Sequence, residues 1–181
     1  MTSPFYSKVL VFGEPEVGKS WLCQSMKTKK PVNPSECEPQ SSFDPFSCEY
    51  KKGDFLINLN IWCTSGLEND ESKLQTYCSQ TDIGLLCFSM VDYKSLEQAV
   101  KKWYPVFQKH CPHAELFLVG CKKDNCDKAN EIQSEEIKNA TKKIVAKLCY
   151  TSAINYSGIE EILNEAFSKL FPLNSLSIAK L

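Results

Sequence analysis

The stretch Gly13-Glu14-Pro15-Glu16-Val17-Gly18-Lys19-Ser20 decides the fold of this 181-residue chain. It follows an apolar run from Val9 to Phe12, and it opens a segment, Trp21 to Lys27, that contains neither glycine nor proline. Strand, glycine-rich turn and helix start form the context that the pattern G-x-x-x-x-G-K-[ST] requires for binding phosphate. The sequence therefore predicts a loop that holds the phosphates of a nucleotide.

Each residue type in this loop has a physical role. Gly13 and Gly18 let the backbone curl so that successive N–H groups point inward at an anion. The helix N-terminus adds partial positive charge. Lys19 supplies a point charge for the terminal phosphates, and Ser20 supplies a hydroxyl for Mg²⁺. The residues expected at the phosphates are Gly13, Glu16, Val17, Gly18, Lys19, Ser20 and Trp21.

Composition and charge narrow the class of protein. The length predicts one domain, and the 43% of hydrophobic residues are enough for a core. A formal net charge of −1 predicts no electrostatic attraction to nucleic acid or to an anionic membrane. The ten cysteines lack C-x-x-C spacing, and no signal peptide precedes the first strand. We therefore expect reduced thiols and a cytoplasmic protein.

Apolar runs alternate with helical patterns along the chain. Strands are expected over residues 5–12, 46–52, 55–62, 83–90 and 116–120, with a further short strand ending at 150–151. Helices are expected over 19–27, over 95–109 with Ser95 as N-cap, over 134–148 with Ser134 as N-cap, and over 157–170. Residues 29–45 are expected to form a long loop, and 63–79 are polar with weak periodicity. This order predicts an α/β fold with a mostly parallel, six-stranded sheet flanked by helices.

A second motif lies directly after the buried run at 116–120. The carboxylate of Asp124 can accept two hydrogen bonds from guanine, at N1–H and N2–H₂, and adenine lacks both donors. The aliphatic stem of Lys122 can pack over the base. Thr151-Ser152-Ala153 follows another strand, where backbone N–H groups can meet the guanine oxygen. The predicted base site consists of Lys122, Asp124, Ser152, Ala153 and Ile154.

With these motifs in order, the chain resembles the Ras superfamily of small GTPases, and within it the Rho branch. The resemblance covers about residues 6–171 and rests on Ile61-Trp62, Gln80-Thr81-Asp82, Ser95-Leu96-Glu97, Lys102-Trp103-Tyr104-Pro105 and Leu118-Val119-Gly120-Cys121-Lys122-Lys123-Asp124. It implies a P-loop small-GTPase domain over 1–172, with switch I near 31–46, switch II near 63–79 and a short tail over 173–181. It further implies a monomer that binds GTP or GDP with Mg²⁺, and effector and regulator proteins that contact the switches.

The chain departs from the family's pattern at the second switch. The family motif Asp-x-x-Gly-Gln is replaced by Cys63-Thr64-Ser65-Gly66-Leu67. A neutral thiol at Cys63 is a poor partner for Mg²⁺. Leu67 cannot orient the attacking water as the glutamine does, and Pro15 stands where small GTPases often carry glycine. The chain contains no arginine, so an arginine finger would have to come from a partner. We therefore expect a weakened Mg²⁺ site and no catalytic residue.

Other positions also differ from the family. By position, Ser41 matches the switch I threonine that binds Mg²⁺, and the aromatic residue that braces the base has no clear counterpart in 31–34. Cys121 stands where asparagine or threonine is usual. Trp21 either covers the ribose or packs in the core, and the core is the preferred interpretation. No cysteine follows Cys149, so a lipid anchor is not expected if the C-terminus is native.

Two functions from different classes remain open. The first is a Rho-like switch that binds guanine nucleotide and hydrolyses GTP weakly or not at all, so that the γ-phosphate persists. The second is a nucleotide-free pseudo-GTPase that serves as a protein-binding scaffold. A competent GTPase that recruits Glu68 or a partner is a third, less favoured alternative.

Overall fold

The computed structural model describes residues 5–35, 43–52, 55–67, 71–126 and 132–170. Its strands are β1 (Phe5–Gly13), β2 (Phe43–Lys52), β3 (Phe55–Cys63), β4 (Ile83–Ser89), β5 (Glu115–Cys121) and β6 (Lys147–Tyr150). Its α-helices are α1 (Lys19–Thr28), α2 (Glu71–Cys78), α3 (Tyr93–Gln98), α4 (Tyr104–His110), α5 (Ser134–Thr141) and α6 (Ile159–Leu170). A π turn (Ala99–Trp103) joins α3 to α4, and a 3₁₀ turn (Lys123–Asn125) follows β5.

The strands form one six-stranded sheet in the order β2-β3-β1-β4-β5-β6. β1 lies parallel to both β3 and β4, and β5 lies parallel to both β4 and β6. β2 alone among these strands pairs antiparallel, with β3, and its register shifts between Phe43 and Phe46. The predicted α/β fold with a mostly parallel six-stranded sheet is confirmed.

Helices cover both faces of the sheet. One core layer packs α1 and α6 against the sheet and includes Leu22 and Phe167. The other packs α3, the π turn, α4 and α5 against the opposite face and includes Trp103 and Ile137. All residues of β4 are buried, as expected for a continuous apolar run in a doubly covered strand. In a parallel sheet that is covered on both faces, ligands bind at the carboxyl ends of the strands, between the loops that follow them.

The helix that follows β4 starts earlier than the sequence predicted. The Asp92 side chain caps it by accepting a hydrogen bond from the Lys94 N–H at 3.0 Å. Ser95, the predicted N-cap, is buried, and its Oγ donates to the Asp92 carbonyl at 2.6 Å. The N-cap prediction at Ser95 was wrong because two competent capping residues stand within one turn of each other.

The predicted helix over 134–148 was also too long. α5 ends at Thr141, and its N-cap is Gln133 rather than Ser134, with the Glu136 carboxylate accepting from the Gln133 N–H at 3.1 Å. Leu148 lies in β6 and pairs with Leu118 of β5. A short apolar run fits either period, and here pairing with the sheet overrides the helical pattern.

The polar segment over 63–79 holds a helix that the sequence did not predict. α2 spans Glu71–Cys78, and its amphipathic period is weak. Cys78, its last residue, is buried against the layer that contains α4. Within the described ranges no helix is both long and apolar enough to cross a bilayer.

Candidate functional site

A cavity of about 640 Å³ lies at the carboxyl end of the sheet. Its walls come from the loop after β1 and the start of α1, and from the segments after β3, β5 and β6. Its lining residues are Pro15, Glu16, Gly18, Lys19, Ser20, Trp21, Leu22, Ser65, Leu67, Cys121, Lys122, Asp124, Asn125, Thr151, Ala153 and Ile154. The cavity therefore joins the two predicted motifs, which lie about a hundred residues apart in the chain.

The loop after β1 has the curled backbone that its glycines predicted. Gly13 has a φ of 136° and Gly18 a φ of 112°, while Glu16 takes the left-handed region at 60°. A Cβ at Gly13 would lie 2.3 Å from the Cys87 carbonyl oxygen, so only glycine fits there. A left-handed φ at a residue other than glycine is uncommon and costs free energy. The loop holds a shape that aims backbone N–H groups at an anion.

The Lys19 ammonium is held by backbone carbonyl groups of this loop. Lys19 is buried, and its Nζ donates to the carbonyl oxygens of Gly13 at 3.1 Å and Glu14 at 2.6 Å. It also donates to the Ser65 carbonyl oxygen, in the segment after β3, at 3.3 Å. A buried charge needs such partners, and these fix the ammonium at the cavity wall. Lys19 therefore links the loop to the predicted second switch.

Gly66 brings the same two segments into direct backbone contact. It has a φ of 89°, and a Cβ built on it would lie 2.5 Å from the Pro15 nitrogen and 2.7 Å from the Gly13 carbonyl oxygen. The next residue, Leu67, lines the cavity with its side chain largely exposed. Position 67, where the family motif carries the glutamine that orients water, thus presents an aliphatic side chain to the cavity.

At the other end of the cavity, hydrogen bonds join the segments that follow β5 and β6. Ser152 Oγ donates to Asp124 Oδ1 at 2.5 Å, and the Asn155 N–H donates to Ser152 Oγ at 3.1 Å. The Lys123 N–H donates to the Thr151 carbonyl at 3.1 Å. These bonds fix the orientation of the Asp124 carboxylate, which selection of a base edge requires.

The structure brings most of the predicted site residues to one cavity. The predicted residues that line it are Glu16, Gly18, Lys19, Ser20, Trp21, Lys122, Asp124, Ala153 and Ile154. Gly13, Val17 and Ser152 are not among the lining residues. Val17 and Ser152 are each 1% exposed. Ser41 lies outside the described residues. The binding role of each residue stays a prediction.

The preferred interpretation of Trp21 was wrong. It is half-buried, lines the cavity and belongs to neither core layer. The alternative interpretation, in which Trp21 covers the ribose side of a nucleotide, stays a prediction.

Sequence reasoning missed a contact behind the loop. Glu14 Oε1 accepts from the indole Nε1–H of Trp103 at 2.7 Å and from Lys102 Nζ at 3.1 Å. No local sequence pattern predicts this contact, because 89 residues separate Glu14 from Trp103.

The predicted weakening of the Mg²⁺ site concerns Cys63, which stands where the family motif carries a carboxylate. The Cys63 thiol is buried and donates to the Thr64 carbonyl at 3.6 Å. Burial, together with a hydrogen bond between the Cys23 and Cys63 thiols, holds the pKa of Cys23 well above its usual value. Mg²⁺ takes oxygen ligands in near-octahedral geometry, whereas a thiol is soft and neutral when protonated. Among the described residues, no cluster of three or more His, Cys, Asp or Glu could hold a metal ion.

The comparison with known families agrees with this geometry. Residues 8–171 match the sequence profile of the Ras family. The match includes the loop after β1, the segment after β3 and both segments at the base end of the cavity. Ras-family proteins are small GTPases that bind GTP or GDP, in general with Mg²⁺, and that contact effector and regulator proteins. A phosphate loop at one end of the cavity, an oriented aspartate at the other and a match over nearly the whole chain lead to one conclusion: this protein belongs to the Ras family.

Proposed function

We propose that this protein is an atypical, Rho-like switch that binds guanine nucleotide and hydrolyses GTP very slowly. The observation that carries the proposal is Leu67 in the cavity wall. Its backbone N–H is bound to Ser65 Oγ at 3.1 Å, and Gly66 before it is fixed against the phosphate loop. We infer that the side chain at 67 faces the terminal phosphate of a bound nucleotide, where an aliphatic group cannot orient water.

Two further features support slow hydrolysis. Pro15 lines the same part of the cavity, and a proline ring adds bulk and has no N–H. The whole chain lacks arginine, so the charge that develops in the transition state has no guanidinium partner from within. The γ-phosphate then persists, and the switch regions, near 31–46 and 63–79, stay in their effector-binding form.

Retained binding is supported by the parts of the site that do not depend on hydrolysis. Lys19 and the curled loop offer positive charge and N–H groups to phosphate. Asp124, fixed by Ser152, offers a carboxylate to guanine. Because Cys63 replaces the carboxylate that supports Mg²⁺ through water, we expect nucleotide affinity to depend only weakly on the metal.

The Rho-like assignment is part of the same proposal. Trp62 lies at the end of β3, under the Lys8 ammonium at 4.6 Å and edge-on to Tyr77 at 6.2 Å. These contacts join the predicted second switch to the sheet. We expect effectors and regulators to contact this region.

A nucleotide-free scaffold is the second candidate, and one observation favours it. The Lys19 ammonium already has carbonyl partners in the loop and in the segment after β3. In a chain that lacks the carboxylate that supports Mg²⁺, these hydrogen bonds of Lys19 can persist in the functional form of the protein.

One set of measurements separates these functions. We expect freshly purified protein to carry guanine nucleotide, and an empty site would favour the scaffold. In single-turnover assays we expect slow hydrolysis, with the Leu67→Gln variant faster by about tenfold or more and a Leu67→Met control unchanged. Chelation of Mg²⁺ should speed nucleotide release less in the wild type than in a Cys63→Asp variant. Wild-type hydrolysis at the rate of an ordinary small GTPase would refute the proposal.

A further inference from the structure

The phosphate loop contains two acidic residues whose side chains lie in different environments. Glu16 lines the cavity, whereas Glu14 is not among the lining residues. The Glu14 carboxylate instead meets the indole N–H of Trp103 at 2.7 Å and the Lys102 ammonium at 3.1 Å. An acidic side chain two residues from Glu16 is thus held behind the loop by two donors.

The donors come from a backbone irregularity. At the end of the π turn the Tyr104 N–H binds the Ala99 carbonyl, five residues earlier, where an α-helix would use the residue four earlier. Such insertions are rare and often lie at functional sites. Trp103, the last residue of the π turn, is 1% exposed and packs edge-on against Phe12 at 6.3 Å. The indole is therefore fixed before it donates to Glu14.

Glu14 also connects these donors to the phosphate-binding amine. Its carbonyl oxygen accepts from Lys19 Nζ at 2.6 Å, while its carboxylate is occupied by Trp103 and Lys102. If the carboxylate were released, it would be an unpaired anion on the same loop that positions the Lys19 ammonium. A like charge there would weaken phosphate binding, and more so for a ligand with more phosphates.

We propose that Trp103 is a positioning residue for the phosphate site: its indole N–H, with the Lys102 ammonium, holds the Glu14 carboxylate away from bound phosphate and from the Lys19 ammonium. The inference rests on the proposed nucleotide binding. It adds a specific role for the π turn, whose two donors hold Glu14 and thereby favour the binding of a nucleotide with more phosphates.

The test measures dissociation rates of fluorescent GDP and of a fluorescent non-hydrolysable GTP analogue from the full chain. Trp103→Phe keeps the ring and removes the donor, and we expect release of the GTP analogue about tenfold faster, with a smaller change for GDP. Adding Glu14→Gln to Trp103→Phe should restore much of the loss, because the released group is then neutral. A purely packing role for Trp103 would accelerate both nucleotides equally and would not respond to Glu14→Gln.

A second pair of variants keeps the test valid if Trp103→Phe folds poorly. Lys102→Met removes the other donor at a partly exposed site and should speed release of the GTP analogue about threefold, an effect that added salt reduces. The matched control is Lys101→Met, whose amine pairs with Glu97 in solvent. Equal rates for Lys102→Met and wild type, or equal factors for both nucleotides, would overturn the inference alone. A wild-type protein that binds neither nucleotide would overturn the proposed function as well.

Discussion

Among single residues, Gly66 has one of the tightest environments in the site. Its Cβ would fall 2.5 Å from the Pro15 nitrogen, and its φ of 89° strains any other residue. We expect Gly66→Ala to lower the free energy of unfolding by about 2 kcal/mol or more and to speed nucleotide release. Urea denaturation checks the first effect. Ser65→Ala, which removes the side-chain acceptor for the Leu67 N–H, is the control, and equal stabilities of the two variants would contradict the prediction.

At this scale the sequence predicts what is local and misses what is distant. The roles predicted for Gly13 and Lys19 follow from eight consecutive residues, because the curl of a loop and the start of a helix depend on the backbone dihedral angles of neighbouring residues. The Glu14–Trp103 bond depends on the sheet and the π turn bringing distant segments together, so no spacing rule could have found it. Trp21 was misjudged for a related reason, since an aromatic residue on the first turn of a helix can face either the core or the ligand.

Among the elements, the α3 helix depends on a cap that can be tested directly. The Asp92 side chain accepts from the Lys94 N–H at 3.0 Å at the start of α3. Replacing an N-cap aspartate by alanine typically costs about 1 kcal/mol, and we expect Asp92→Ala to lose that much stability in urea denaturation. Asp92→Asn keeps an acceptor and should stay near the wild type. Equal losses in the two variants would show that the cap does not contribute.

Long apolar strands were predicted well, and short elements were not. β4, nearly all of β5 and the second half of β1, from Val9, are buried on both faces, and their continuous apolar runs indicate buried strands. β6 has four residues, and Leu148 fits a helical face as well as a strand. The pairing of Leu148 with Leu118 is a tertiary contact, which the periodicity within one segment cannot predict.

For the molecule as a whole, buried thiols make stability depend on pH. Burial raises the pKa of Cys48 and Cys149, and that of Cys23 well above its usual value. A raised folded-state pKa stabilises the protein at pH values below the unfolded thiol pKa of about 8.5, and this stability is lost as the pH rises towards the folded pKa. We expect urea denaturation to show decreasing stability above about pH 8.5, by up to about 1.4 kcal/mol per pH unit for a fully buried thiol such as Cys23 and by less for the partly exposed Cys48 and Cys149.

The contribution of Cys23 can be isolated from the others. Cys23→Ala should be less stable at neutral pH because it leaves a small cavity, but its stability should fall less steeply above pH 8.5. Ser25→Ala is the matched control, because Ser25 is a fully buried residue of the same helix that does not titrate in this range. A slope as steep in Cys23→Ala as in the wild type would contradict the assignment.

The borders of the sheet have a consequence for the behaviour of the chain at high concentration. On one side Pro45 and the irregular register of β2 leave gaps in the row of donors that a foreign strand would need. On the other side β6 is only four residues long. In the part of the chain that the structure describes, both borders therefore limit the length of edge along which a second copy could add a strand, and we expect this to disfavour edge-to-edge aggregation.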